Sequence, residues 1–80
     1  MLMAEIIRVK IEDGKTGLFF ATSSDLQGLL VSGRTLDELF EAIPQAIADL
    51  FAVGRGVIVK IIPAKRLTQF EHPFIAVPII

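Results

Sequence analysis

The sequence predicts a single α+β domain, a hairpin-led antiparallel sheet with one helix packed on one face. Three observations carry that reading. Residues 4–12, "AEIIRVKIE", alternate apolar and polar side chains with the period of a half-buried strand. Residues 35–38, "TLDE", open an amphipathic run with a helix-start signal. Residues 56–62, "GVIVKII", return to a β-branched strand pattern.

In the first strand Ile7, Val9 and Ile11 point one way and Arg8, Lys10 and Glu12 the other. The turn "DGKTG", residues 13–17, leads into a second strand, "LFFATS", with Gly14 free to take a positive φ. That strand sets Leu18, Phe20 and Thr22 on one face and Phe19 and Ala21 on the other. Both faces are partly apolar, so both call for cover. "SSDLQG" is a polar link in which Asp25 bonds nearby backbone and Gly28 permits a tight entry into the third strand, "LLVS"; Gly33 closes it.

Thr35 as N-cap with Glu38 three residues on forms a capping box, and Asp37 and Glu38 suit the positive end of the helix dipole. Leu36, Leu39, Phe40, Ile43, Ile47, Leu50 and Phe51 then make one apolar stripe, opposite Asp37, Glu38, Glu41, Gln45 and Asp49. Pro44 interrupts the ladder, but the stripe keeps its phase on both sides, which favours one kinked helix over two short ones. Gly54 is the expected C-terminal cap. Pro63 ends the fourth strand. Residues 63–80, although as apolar as a core strand at "FIAVPII", are punctuated by Pro73 and Pro78 and read as an extended tail, an oligomerisation arm outside a core of residues 4–62.

The chain has 80 residues, a formal charge of −1, 52 % hydrophobic residues and no cysteine. Charge balance argues against direct nucleic-acid binding, which needs clustered Lys and Arg. No apolar run reaches the roughly 18 residues of a membrane span. The absence of cysteine excludes thiol chemistry and is compatible with the cytoplasm. So small a domain buries only about 60 % of its unfolded surface, so this much apolar material favours a homodimer or higher oligomer. Phe19, Phe74, Ile75 and Val77 are the candidate interface residues.

Chemistry is sparse. Glu5, Glu12, Asp13 and Asp25 are the carboxylates available to a metal, but they lie at strand ends and turns. His72, the one histidine, with Ser23, Ser24 or Ser32 would be the nucleophile–base pair, yet it precedes a proline in the tail and reads as a surface histidine. "VGRGV" lacks the strand, helix and Lys-Ser/Thr context of a phosphate loop. No catalytic, metal or cofactor site is expected. Asp25 and the acidic helix face, Asp37, Glu38, Glu41 and Asp49, are the candidate partner-binding residues.

Residues 19–47, "FFATSSDLQGLLVSGRTLDELFEAIPQAI", resemble the N-terminal domain of HicB-type antitoxins and the related short HicB-like domains of unknown function. Phe20 and Ala21 match the family's strand, Ser24 to Gly28 its turn, Gly33 to Glu38 its helix entry, and the Ile43-Pro44 pair a segment of the unknown-function branch. The resemblance spans about residues 4–62. It implies a partial ribonuclease-H-like β-β-β-α-β fold without nuclease carboxylates. It also implies a domain that masks a small basic toxin, HicA, an mRNA interferase. The chain departs from the family in Gln27, which stands where the turn usually has proline. Residues 63–80 also offer no helix-turn-helix or ribbon-helix-helix segment for operator binding.

Overall fold

The computed structural model describes residues 3–14, 16–65 and 71–79. Five strands and one helix follow in the order β1 (Glu5–Asp13), β2 (Phe19–Thr22), β3 (Leu30–Gly33), α1 (Leu36–Arg55), β4 (Val59–Pro63) and β5 (Glu71–Pro78). They form one antiparallel sheet, ordered β3-β2-β1-β5-β4, with α1 across one face. The α+β class expected from the sequence is the one observed.

The alternation of β1 holds: Ile7, Val9 and Ile11 are buried beneath the helix, Arg8, Lys10 and Glu12 exposed. From α1, Leu39, Ile43, Ile47 and Phe51 close the core, with Ala21, Val31, Val59, Phe74 and Ala76 from the other strands. Register decides the face of Phe19. It pairs with Asp13 and Gly33, placing it with Ile11 and Val31 on the helix side, where it packs against the core. Phe19 therefore does not belong to the second face; Phe20 does.

The helix starts as its sequence indicates. Thr35 Oγ1 accepts from the Glu38 amide at 3.1 Å, while the Glu38 carboxylate reaches back to the Arg34 amide at 2.8 Å, one residue beyond the usual box partner. The helix runs unbroken through Pro44. It ends at Gly56 rather than Gly54, with φ of 66° and its amide bonded to the Ala52 carbonyl. Gly14 also differs from expectation. Its φ is not positive, and the left-handed residue of that turn is Gly17, φ 80°. Gly14 is small for lack of room, since a Cβ there would lie 2.5 Å from the Phe20 ring.

The largest departure is residues 71–78. They are not a tail but an inner strand, paired with β1 on one side and β4 on the other. Prolines permit this because their missing amides fall at the ends or the outer edge of the ladders. The Ala64 amide bonds to the Pro73 carbonyl and the Ile79 amide to the Ile58 carbonyl. Ladder alternation therefore turns the Pro73 nitrogen toward Ala64, one residue past the last β4 pair, Pro63 with Phe74. By the same alternation Pro78 faces the β1 side, opposite Met3, before β1 has begun. Pro63 points out of the β4 edge. Pro63 and Pro78 are the last residues of their strands, and Pro73 alone lies inside one, beyond the last β4 pair.

Two outcomes follow. A chain ending before Glu71 lacks the strand that joins β1 to β4 and shows no cooperative thermal transition by circular dichroism. Gly33→Ala pushes a Cβ to within 2.9 Å of the Leu39 amide nitrogen. It lowers unfolding free energy by about 1–3 kcal/mol in urea titrations.

Candidate functional site

The sequence candidates fall into three places: the loop after β2, the outer face of α1, and the sheet face that the helix leaves uncovered. The loop is held by a substitution of side chains for strand. Pairing of β1 with β2 ends at Lys10 and Thr22, which leaves the Arg8 amide and carbonyl without a strand partner on that side. Ser23 Oγ donates to the Arg8 carbonyl at 2.6 Å, and Asp25 Oδ2 accepts from the Arg8 amide at 2.9 Å. The Arg8 guanidinium completes the clasp, with Nε to Oδ2 and Nη2 to Oδ1, each 3.0 Å. Ser23 Oγ also accepts from the Asp25 amide at 3.1 Å. Leu26 and Leu29, just beyond, are buried. Asp25 is thus spent on a fixed internal rung.

Charge follows geometry here. The Arg8 side chain, and next its amide, hold the Asp25 carboxyl below the usual carboxylate range. The same pairing raises Arg8, chiefly through the Asp25 hydrogen bond.

On the outer face of α1, Asp37, Glu38, Glu41 and Asp49 are all exposed. Asp37, Glu41, Gln45 and Asp49 stand at successive i+4 positions and so form a single row. Asp49 accepts from Gln45 Nε2 at 2.8 Å; among the described residues no cation bridges this row. The only basic residue of the last turn, Arg55, is directed elsewhere, bonding Glu5 at 2.7 Å and lying 4.6 Å over the Phe51 ring.

The uncovered sheet face has two unlike halves. At one end a cleft of about 500 Å³ is lined by Arg8, Lys10, Glu12, Thr22, Ser24 and Glu71. Its cations are already matched, Arg8 by Asp25 and Lys10 by Glu12 at 3.2 Å. The other end carries Ile75 and Val77, both half-buried. Phe74, the neighbouring interface candidate, is in the core under α1 and offers no surface.

The remaining candidates do not converge. Among the described residues no three His, Asp or Glu side chains gather as metal ligands. His72 is no surface histidine. It lies on the helix side of β5, stacked 4.7 Å from Phe74 and 5.2 Å from Phe40, with its ring nitrogens shielded from solvent. Ser32 is on the opposite face, and Ser23 is engaged with Arg8. Among the described residues no helix is long and apolar enough to cross a membrane.

The fold and these surfaces define a small α+β domain. Residues 5–60 match the family described as Domain of unknown function (DUF1902), and the chain belongs to that family. No curated protein and no solved structure matches it.

Because the folded pKa of Asp25 is lowered, its stabilising effect is complete above the ordinary carboxylate value of about 4 and fades as pH falls through the folded pKa. Acid titration of thermal stability should therefore show a loss below about pH 4 that Asp25→Asn lessens, at the cost of a lower midpoint at neutral pH.

Proposed function

We propose that this chain is a non-enzymatic, cytoplasmic protein-binding module of antitoxin type. It masks a small basic protein and binds no nucleic acid itself. The row Asp37, Glu41, Asp49 on α1 is the observation that carries the reading. Asp37 and Glu41 are like charges at i, i+4, a spacing that opposes helix formation by a few tenths of a kcal/mol, and no described cation offsets them. A basic surface docked along the row would supply that offset and would be steered to it by charge. The resemblance of residues 19–47 to HicB-type domains supports the partner class, an mRNA interferase of the HicA type. The loop around Asp25 supports the helix as the recognition element, since the Asp25 carboxylate is already bonded to the Arg8 amide and guanidinium.

A second reading, a stand-alone oligomerising domain with no toxin partner, is favoured by the apolar half of the uncovered sheet face.

The first reading is tested by co-expression with the small basic protein encoded by the adjacent gene. Growth rescue and co-purification are expected. Asp37→Lys with Glu41→Lys should weaken the complex at least tenfold, and added salt should weaken the wild-type complex in the same direction. A toxic neighbour that is neither bound nor neutralised would overturn the antitoxin reading.

A further inference from the structure

Strand registry gathers Ile6, Ile58, Ile62 and Ile79, four of the seven large apolar residues exposed among those described, onto one half of the uncovered face. Ile6 pairs with Ile75 and Ile75 with Ile62, a row running across β1, β5 and β4. Val77 pairs with Lys60, and the Ile79–Ile58 bond continues the same ladder. All stand on the side away from α1. Exposure is large: 65 % for Ile6, 62 % for Ile58, 56 % for Ile79 and 41 % for Ile62. Lys60 is the only charge among these residues. The patch therefore covers a few hundred Å², at the size where an exposed apolar surface marks an interaction site.

We propose that this patch is the contact surface of a two-fold homodimer, two sheets packed face to face. The composition selects a second copy over other occupants. A lipid surface recruits proteins through basic clusters flanking an apolar face, and this patch has one lysine in a chain of net charge −1. A charged or polar partner would find only the Lys60 ammonium, because β5, the middle strand of the patch, spends its main chain on β1 and β4. An apolar patch of this kind is complementary to itself, as an isologous contact requires. Lys60 lies on the edge strand, from which its stem spans apolar surface while its ammonium reaches the rim. Two such patches with their rims bury roughly 1,000 Å² in total, the least that a specific interface needs. Sheets stacked this way sit about 10 Å apart with strands some 30° out of line.

This surface lies on the opposite side of the molecule from the acidic row, so the dimer does not depend on the antitoxin reading. Sedimentation equilibrium of the full chain tests it, comparing wild type with Ile6→Asp and Ile62→Asp. Both side chains already stand in solvent in the monomer, and retention of fold is checked by circular dichroism. Val53→Asp, at a position 88 % exposed on α1, is the control. Wild type and Val53→Asp should dimerise alike, with the dissociation constant raised about 100-fold or more in each sheet variant. Should a sheet variant fail to fold, dilution of the wild type gives the same reading. Methyl resonances of Ile6, Ile58, Ile62 and Ile79 should move together with concentration. A wild type that stays monomeric at roughly 100 µM would overturn the proposal. So would a dimer that survives both sheet variants or a dilution response away from these methyls. Loss of basic-protein binding with the dimer intact would count against the antitoxin reading alone.

Discussion

Everything in this fold hangs on the pairing of β5 between β1 and β4. The helix spans from β3 at one edge of the sheet to β4 at the other, so β4 reaches the sheet only through β5. Without that strand Val59 and Ile61 have no ladder and Ile7 loses its cross-strand neighbour Phe74. The helix stripe would then close over half a floor. Main-chain pairing across sequence-distant segments supplies the platform, and apolar burial against Leu39, Ile43 and Ile47 makes it worth assembling.

How the prolines fit explains what the sequence disclosed and what it withheld. The period of β1 and the Thr35–Glu38 cap are local signals whose physics lies within a few residues, and both were legible. The inner position of residues 71–78 was not. A proline reads as a breaker until the register is known, and register depends on partners about 65 residues away. The same holds for Phe19. Alternation separates it from Phe20, but only pairing with Asp13 and Gly33 says which of the two faces the helix. At Gly54 and Gly56 the local signal was degenerate: two glycines near a helix end, one of which takes the left-handed turn.

The surface was partly legible for a similar reason. Helical spacing alone places Asp37, Glu41 and Asp49 in one row, and they are found there. In sequence Asp25 reads as a turn residue bonded to nearby backbone, because nothing local ties it to Arg8, 17 residues earlier. The clasp exists because β2 leaves the sheet one rung too soon for Arg8, a tertiary fact. The aliphatic patch was legible only in part: Ile6 and Ile58 read as residues of the uncovered face, while Ile62 and Ile79 did not. Ile6, Ile58, Ile62 and Ile79 are scattered in sequence, and only the strand order β1-β5-β4 makes them neighbours.

The central place of β5 also constrains how the molecule comes into being. Synthesis proceeds from the N-terminus, so β1 to β3, α1 and β4 are all made before the strand that unites them. Until residues 71–78 emerge, β1 keeps an unpaired flank and the apolar stripe of α1 lacks Phe74 and Ala76. The three strands β3-β2-β1 under α1 can pair before β5 does, but the closing contact of the sheet is one of high sequence separation. Closure of the sheet therefore waits on residues 71–78, and until they pair, chaperones and proteases find the chain open.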